Sequence, residues 1–366
     1  MMLPVKIGVT IGEAGQIWSN GLHQNAFYLA KLLRKCGHRV DLLGKVEKFV
    51  KYSDVEGLSI YPWKRVYEKK YDIILSVSLS PPPDIRDLIR KNNPKTKFVA
   101  VQYVNLFEMT VEDFLGFRAC NSSYANEYDD LSALWISPHF TYTLPWLKSI
   151  FKHVPIHECP YVWESSFFDA RCEEFEGDPN WTPDIDMTKI AMHEPNINVM
   201  KNCIIPLAIV GELNDKHPEM VSEVFALNTE EAKANVRFIN YIKQLGLMEK
   251  GSFDSRRTTP FMVTQNVMGV SVFNQRWCDL NYIYLELLKL GYPIVHNSEG
   301  MKEAGYYYPG IDVQAGAAQL KNAMLNHAEN LEEYKKKADD LLWKYSTDNP
   351  DNIKGYNDLV KKVLDS

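Results

Sequence analysis

The segment "MHEPNINVMKN" (192–202) concentrates side chains that can hold a charged ligand, directly after an apolar, strand-like run. It supplies a histidine, a carboxylate, amides and a lysine: His193, Glu194, Asn196, Asn198 and Lys201. A lysine ammonium can meet a diphosphate as a point charge, and His193 and Glu194 are the candidate catalytic residues. The alternative is that an asparagine only caps the following helix and that Lys201 is solvated. Because these polar side chains exceed what one helix cap needs, we expect a binding loop.

A second polar cluster lies in "GEAGQIWSNGLHQN" (12–25). Gly12 and Gly15 permit a ligand to approach the backbone closely. An amide side chain can both donate a hydrogen bond to a hydroxyl group and accept one from it. We expect a binding site for a ligand that carries hydroxyl groups, the acceptor of the reaction considered below. It contains one flat aromatic ring and three amides: Trp18, Asn20, Gln24 and Asn25. The Gly-x-Gly-x-x-Gly order is absent, which disfavours a dinucleotide site. A capped helix with a chance polar cluster is the alternative.

The segment "VQYVNLFEM" (101–109) ends a further apolar run. We expect Tyr103 and Asn105 to line the same acceptor site. A general base must reach the proton that it removes, and spacing alone does not select one here. Three candidates for this role stay open: Glu13, His23 and Glu108.

Short apolar runs alternate with helical patterns through the first half of the chain, as in a parallel sheet wrapped by helices. Strands are predicted at 4–10, 39–44, 58–61, 71–78, 97–104 and 117–123, and helices at 20–36 and 84–92. In such a sheet, ligands bind outside the carboxyl ends of the strands. The polar clusters follow predicted strands and therefore belong at that edge.

Residues 155–183 are rich in prolines, acids and aromatics and lack a sustained period, so we expect a linker between domains. The alternation then restarts, with strands predicted at 189–195, 220–228, 251–255, 269–275 and 292–298, and helices at 198–214, 229–246, 258–268 and 281–290. Pro206 implies a kink in the first of these helices, and Thr229 is predicted to cap the second. The tail, 313–364, reads as helical with one interruption near "STDNPDN".

The chain has 366 residues and a net charge of −6. The length favours two domains, and the acidic balance argues against a nucleic-acid or anionic-membrane partner. No run of eighteen apolar residues and no signal-peptide pattern is present, so we expect a cytoplasmic protein without a membrane span. The six cysteines form no Cys-x-x-Cys pair, which favours scattered thiols over disulfides or a metal site.

The run "YLELLKLGYPIVHNS" (284–298) resembles the donor-binding segment of GT-B glycosyltransferases. The match covers Leu285, Glu286, Gly291, Pro293 and Val295. The resemblance implies that Glu286 binds the ribose hydroxyls of a nucleotide sugar. It also implies that the loop and the helix start at Asn281 and Tyr282 hold the diphosphate, for which unpaired helix N–H groups are suited.

The sequence departs from that family at one position. Many of these enzymes carry two glutamates with seven residues between them, and the earlier position here is Cys278, followed by Asp279. A thiol cannot replace a carboxylate as a hydrogen-bond acceptor, so Asp279 is a possible stand-in.

Arg256 and Arg257 are either phosphate ligands or exposed. The three tyrosines at 306–308 are more typical of core or rim than of a ligand stack.

A second resemblance covers most of the chain. The segments that carry it are "IWSNGLHQNAFYLAKLL", "HEPNINVMKN", "LNYIYLELLKLGYPIVHNS" and "AGYYYPGIDVQAGA". Together they resemble a little-characterised bacterial and viral family known as a domain of unknown function. This resemblance implies the same glycosyltransferase fold and names no substrate.

We therefore expect an α/β protein of the GT-B type, with two Rossmann-like domains facing each other across a cleft and a helical C-terminal tail. The expected divisions are an acceptor-side domain (1–160), a linker (161–184), a nucleotide-sugar domain (185–345) and a last helix that can pack back on the first domain (346–366). The expected activity is metal-independent glycosyl transfer, without a permanently bound cofactor, from a UDP-, GDP- or TDP-sugar to a glycan or other hydroxyl acceptor. A nucleotide-sugar epimerase, a phosphorylase, a non-catalytic carbohydrate-binding protein and an enzyme that modifies nucleic-acid bases are the alternatives.

Overall fold

The computed structural model describes residues 3–12, 21–77, 79–116, 130–253, 257–279 and 281–366. The chain divides into two compact units, Met1–Phe167 with Trp343–Ser366, and Phe168–Leu342. The sequence-based divisions place a linker over 161–184 and begin the tail at 346, whereas the structural division falls at Phe167 and again at Leu342. The first unit is called the N-terminal unit below, and the second the C-terminal unit.

Within the described residues, the N-terminal unit contains an eight-stranded sheet in the order β3-β4-β2-β1-β5-β6-β7-β8. The strands are Lys6–Ile11 (β1), Arg39–Gly44 (β2), Val50–Lys51 (β3), Ser59–Pro62 (β4), Ile73–Ser76 (β5), Lys97–Gln102 (β6), Ala133–Ile136 (β7) and Ile156–Glu158 (β8). All neighbouring pairs are parallel except β3 with β4. The helices are Gly21–Lys35 (α1), Arg65–Glu68 (α2), Pro83–Asn92 (α3), Leu106–Phe114 (α4) and Leu144–Ile150 (α5).

The C-terminal unit has, in the part of the chain that is described, a six-stranded parallel sheet in the order β11-β10-β9-β12-β13-β14. Its strands are Lys189–Met192 (β9), Glu223–Ala226 (β10), Gly251–Ser252 (β11), Val270–Val272 (β12), Ile294–His296 (β13) and Tyr306–Tyr307 (β14). The following helices complete the chain: Ser166–Cys172 (α6), Ile204–Lys216 (α7), Val236–Gln244 (α8), Thr259–Thr264 (α9), Tyr282–Lys289 (α10), Val313–Asn326 (α11), Leu331–Tyr345 (α12) and Pro350–Asp365 (α13).

Both sheets are built from short, almost wholly apolar strands. Residues such as Ile7, Val9, Ile190 and Val295 have no solvent exposure, because parallel strands are covered by helices on both faces. The helical tail is confirmed as α11, α12 and α13. No helix in the described ranges is long and apolar enough to cross a membrane.

Three secondary-structure predictions were wrong in detail. The helix expected from 198 begins at Ile204, so Pro206 is its third residue, where no intrahelical hydrogen bond is lost. Thr229 does not cap α8: its hydroxyl donates to the carbonyls of Ala226 and Phe253. The cap is Asn235, which accepts from the Arg237 N–H.

One predicted strand cannot be compared, and four strands of the structure were not predicted: β3, β7, β8 and β14. The strand expected at 117–123 lies outside the described residues. Strand β7, "ALWI", is fully buried and follows a polar stretch that gives no strand signal. It is short and uniformly apolar, a pattern that does not distinguish a buried strand from a helix segment.

Candidate functional site

The strand order of the C-terminal unit places its switch point between β9 and β12. Numbered within that unit, the order is 3-2-1-4-5-6, and the connections leave in opposite directions on either side of β9. In open parallel sheets, ligands bind outside the carboxyl ends of the strands at such a point. The segment 193–203 follows β9 there, and the segment 273–281 follows β12.

Two asparagines in left-handed backbone conformations fix the segment after β9. Asn196 has a φ of 53° and Asn228 a φ of 58°, a conformation that asparagine tolerates better than most residues. The side-chain amides of both donate to the Glu194 carbonyl, at 3.0 and 3.2 Å. The side-chain oxygen (Oδ1) of Asn196 also accepts from the Cys203 N–H at 2.9 Å. Asn196 therefore holds the loop in place and leads it into α7.

Lys201 is tied to the segment after β12. It forms an isolated antiparallel bridge with Gln275, and the Arg276 N–H donates to the Met200 carbonyl at 3.1 Å. The side chain of Asn198 accepts from the N–H groups of Met200 and Lys201, at 3.1 and 2.9 Å. Asn198 thus shapes the turn that presents Lys201, which is itself half-buried.

Glu194, the residue after His193, has no solvent exposure. Both of its carboxyl oxygens accept from the Gln275 side-chain amide, at 3.1 and 3.2 Å. Burial raises the pKa of Glu194 to about 8, while the Lys201 charge, the Gln275 amide and the Asn274 backbone N–H act in the opposite direction. The carboxyl group of Glu194 therefore keeps its proton to a higher pH than a carboxyl group in water does.

His193, the neighbour of Glu194, points into the core of the sheet. Its Nδ1 pairs with the Thr259 hydroxyl at 3.1 Å and its Nε2 with the Ser271 hydroxyl at 3.0 Å. Its ring stacks on Phe273, with centroids 5.5 Å apart. Burial lowers the pKa of His193 to about 3. Both ring nitrogens are engaged in the core, so the structure gives His193 a packing role in place of the expected catalytic contact.

The segment before α10 brings a thiol to Lys201. Lys201 forms a hydrogen bond with Cys278, and its charge lowers the pKa of that thiol, although burial raises it overall. Asp279 faces Glu299, and the pKa of Asp279 is raised by burial and by that neighbouring carboxylate. Cys278 occupies the family's first glutamate position, and Asp279 was its expected stand-in. Of these two residues, Cys278 is the one near Lys201 and Glu194.

Helix α10 begins at Tyr282, after Asn281 in an extended conformation whose side chain does not cap the helix. Tyr282 is buried. Glu286, in the second turn, remains partly exposed. Burial and the nearby Asp169 carboxylate on α6 raise the pKa of Glu286 to about 8. The one charged neighbour that acts on Glu286 is thus on α6, and Glu286 lies apart from the group formed by Glu194, Lys201 and Cys278.

The predicted acceptor residues of the N-terminal unit lie at the start of α1 and after β6. Gln24 and Asn25 are buried in the first turns of α1. A Cβ atom on Gly12 would lie 2.2 Å from the His23 Nε2, so any other residue there would require the His23 ring to move. Trp18 and Asn20, with Glu13 and Gly15, lie outside the described residues.

The two predicted acceptor residues after β6 have partners within the same unit. The hydroxyls of Tyr103 and Tyr356 are 2.5 Å apart, which joins β6 to α13. Asn105 caps α4 by accepting from the Glu108 N–H, and its amide donates to the Tyr142 hydroxyl. Both residues are buried, so the structure gives each a role in packing or capping.

The remaining candidates have mostly structural contacts. The Arg257 guanidinium lies over the Phe225 ring at 4.9 Å, and Arg256 is outside the described residues. Tyr306 and Tyr308 are buried in the core and Tyr307 is half-buried, in line with their core-or-rim interpretation. No group of three or more metal-ligating side chains occurs among the residues that the structure describes.

A family profile described as "Protein of unknown function (DUF2827)" matches residues 5–360. The chain belongs to the DUF2827 family. No curated protein sequence matches this DUF2827 chain.

Solved structures show what this DUF2827 fold is similar to. An alpha-glucosyltransferase in complex with UDP and a 13-mer DNA is 13% identical, with a TM-score of 0.62 over 99% of this chain and 100% of that one. The N-terminal domain of a Candida albicans trehalose-6-phosphate phosphatase is 11% identical, with a TM-score of 0.63 over 100% and 98%. The pneumococcal O-GlcNAc transferase GtfA, in complex with UDP and GlcNAc, is 9% identical, with a TM-score of 0.55 over 99% and 100%. The predicted GT-B fold with its Rossmann-like sheets is confirmed.

Sequence reasoning missed several polar residues of the candidate site. Gln275 binds the Glu194 carboxyl group, and Asn297 pairs with both backbone groups of Gln275, at 2.7 and 2.8 Å. Asn274 donates to the Tyr308 hydroxyl at 3.0 Å. A signal was present, since "NQ" follows β12 and "NS" follows β13 as polar pairs at the ends of apolar strands.

Proposed function

We propose that this DUF2827 chain is a glycosyltransferase that moves a sugar from a nucleotide-diphosphate sugar to a hydroxyl acceptor. The observation that carries the proposal is the placement of Lys201 at the switch point between β9 and β12, where its bridge to Gln275 fixes it. A parallel sheet binds ligands at this point, and a lysine there suits a phosphate. UDP accompanies both glycosyltransferases described above.

The donor would be held by groups that surround the start of α10. Lys201 and the start of α10 at Asn281 and Tyr282 would bind the diphosphate, since the N-terminal end of a helix favours an anion. Glu286 would accept hydrogen bonds from the ribose hydroxyls, as the family resemblance implies. Lys201 and the positive end of α10 would stabilise the departing nucleotide diphosphate by electrostatics, so that no metal ion is required. His193 has no place in this scheme because both of its ring nitrogens are bonded in the core.

The acceptor would bind to the N-terminal unit at the first turn of α1. Gln24 and Asn25 lie there, and Trp18 and Asn20 precede them in the sequence. Tyr103 and Asn105, which are predicted to line the same site, are bonded to α13 and to Tyr142. A glycan is the proposed acceptor, and a cytoplasmic location remains a prediction.

A thermal-shift panel tests the donor proposal. Purified chain is heated with UDP-, GDP- and TDP-sugars and with CMP-linked sugars, each across a concentration series. A ligand at a hundred times its dissociation constant should add about 2.7 kcal/mol to the free energy of unfolding. Glu286→Gln should reduce the shift, whereas Glu332→Gln, at an exposed position of α12, should leave it unchanged. Flat melting curves across the whole panel would refute the transferase proposal.

A second candidate acceptor is a hydroxymethylated base in DNA. The observation in its favour is that the similar alpha-glucosyltransferase was solved with UDP and a 13-mer DNA containing an HMU base. The net charge of −6 counts against it, because DNA binding depends on neutralising phosphates. The nucleotide sugar that stabilises the chain in the thermal-shift panel is therefore incubated with the chain and with either a glycan panel or hydroxymethyluracil DNA as the acceptor. Transfer of labelled sugar to only one of them decides between the acceptors.

A further inference from the structure

The side chain of Asn297 acts like a neighbouring strand beside the segment that follows β12. Asn297 comes directly after β13 and is buried. Its side-chain oxygen accepts from the Gln275 N–H at 2.7 Å, and its amide nitrogen donates to the Gln275 carbonyl at 2.8 Å. The same nitrogen donates to the Gly310 carbonyl at 2.8 Å. One side chain therefore satisfies both main-chain groups of Gln275 and also holds the loop that follows β14.

Gln275 is joined to the segment after β9 on its other side. It forms an antiparallel bridge with Lys201, and the N–H of the next residue, Arg276, donates to the Met200 carbonyl at 3.1 Å. In an antiparallel pair, hydrogen-bonded and non-hydrogen-bonded positions alternate, so the main-chain groups of Gln275 itself are left for Asn297. The segment after β12 thus lies between Asn297 and the residues around Lys201.

Loss of the Asn297 amide would leave the main-chain groups of Gln275 without these partners in a buried place. Gln275 is 4% exposed, and a buried N–H or carbonyl that loses its partner costs more than the hydrogen bond itself contributes. The segment would have to move to recover hydrogen bonds, and Lys201 is bridged to that segment. A group that binds a ligand keeps its geometry only when the residues around it hold it there.

We propose that Asn297 is a positioning residue that holds Lys201 in place for the donor diphosphate, through the main chain of Gln275. This inference rests on the proposed function, since it assumes that Lys201 binds the diphosphate. Because Asn297 acts through Lys201, its effect on nucleotide affinity requires the Lys201 charge. A variant that lacks this charge should therefore be insensitive to the loss of Asn297.

A double-mutant cycle with UDP as the ligand tests the proposal. The dissociation constant of UDP is measured by calorimetric titration for wild type, Asn297→Ala, Lys201→Met and the double variant. Asn297→Ala should weaken UDP binding about tenfold in the presence of Lys201. In the Lys201→Met background, the same substitution should change the dissociation constant by less than about twofold.

A matched control separates the loss of position from the loss of stability. Asn352, on α13 in the N-terminal unit, is 8% exposed, as is Asn297. Its amide nitrogen also donates to two main-chain carbonyls, those of Lys344 and Ser346, both at 2.9 Å. Asn352→Ala therefore removes the same number of donated hydrogen bonds from an equally buried site, and UDP affinity should stay at the wild-type value.

A second substitution covers the case in which Asn297→Ala does not fold. Asn297→Asp keeps an oxygen that can accept from the Gln275 N–H and removes both donated hydrogen bonds. It should also weaken UDP binding, and only in the presence of the Lys201 charge. Circular dichroism shows whether each variant is folded. If neither variant folds, Asn297 is required by the fold as a whole, which would contradict a role specific to Lys201.

The outcomes separate this inference from the proposed function. Wild-type UDP affinity in folded Asn297→Ala would overturn the positioning role and leave the donor site intact. Equal weakening with and without the Lys201 charge, or an equal loss of affinity in Asn352→Ala, would also overturn it. Absence of UDP binding to wild type, together with a flat thermal-shift panel, would overturn the proposed function and this inference with it.

Discussion

The two sheets share a strand order around their switch points, but the polar residues that follow their strands make different contacts. In the N-terminal unit, the polar side chains after β6 bond to their own unit: Tyr103 to Tyr356, and Asn105 to the start of α4. In the C-terminal unit, the segments after β9 and β12 bring the charge of Lys201 near the buried Glu194 carboxyl group and are joined by the Lys201–Gln275 bridge. The same topology thus provides a packed edge in one unit and a charged edge in the other. Polar residues at the end of a strand indicate a site only when their hydrogen bonds are not already used by the fold.

The largest effect on stability is expected for Gly12→Ala, which tests the packed edge. The added Cβ would lie 2.2 Å from the His23 Nε2 and 2.6 Å from its Cε1, and the buried ring cannot rotate away freely. We expect a loss of about 3 kcal/mol in the free energy of unfolding, as for other overpacked sites. Chemical denaturation followed by circular dichroism measures it. Gly300→Ala, at a position with room for a methyl group, is the control, and equal losses in both variants would contradict the close approach.

A smaller effect on the free energy of unfolding is expected when the pH is lowered, because His193 at the charged edge resists protonation in the folded state. Its pKa is lowered to about 3 by burial, whereas an unfolded histidine titrates near 6.5. Between these values the unfolded state binds more protons, so stability must fall as pH decreases below about 6.5. At pH 5 this histidine should cost about 2 kcal/mol relative to pH 7.5.

The comparison with a variant isolates this histidine. His193→Gln keeps polar groups near Thr259 and Ser271 but cannot be protonated. It should lose about 2 kcal/mol less than wild type when the pH is lowered from 7.5 to 5 in urea denaturation. An identical pH dependence in both proteins would show that His193 titrates normally and therefore lies outside the core.

The smallest effect is expected for Tyr103→Phe. The substitution removes one hydroxyl from the pair formed with Tyr356 and leaves the ring in place. We expect a loss of about 1 kcal/mol in unfolding free energy and no change in nucleotide affinity. A lower kcat for transfer in Tyr103→Phe, with an unchanged KM for the acceptor, would instead indicate that the Tyr103 hydroxyl contacts the substrate directly.

Sequence patterns predicted the fold well because they report on burial. Apolar runs located most strands, and alternation with helices gave parallel sheets of the GT-B type. Strand β7 was missed because four apolar residues lack a diagnostic period. The start of α7 was placed too early because "NVMK" is compatible with a helix until the hydrogen bonds of Asn196 and Asn198 are known.

The site was harder to predict because its roles depend on contacts between distant residues. The segment 192–202 was recognised as polar, but Asn196 and Asn198 shape its backbone and His193 faces the core. Gln275 is 81 positions from Glu194 along the chain, a separation that no local pattern reports. Glu286 was singled out by resemblance alone, and its role as a ribose ligand stays a prediction.

The central claim is that Lys201 forms the phosphate-binding charge of the C-terminal unit, and equilibrium binding of UDP to Lys201→Met tests it most directly. Methionine keeps the length of the side chain and removes its charge. Lys243→Met, at an exposed position on α8, is the matched control. Loss of a charged hydrogen-bonding group should weaken UDP binding by about tenfold to a hundredfold, with the control unchanged. Equal affinities of wild type and Lys201→Met would contradict the account.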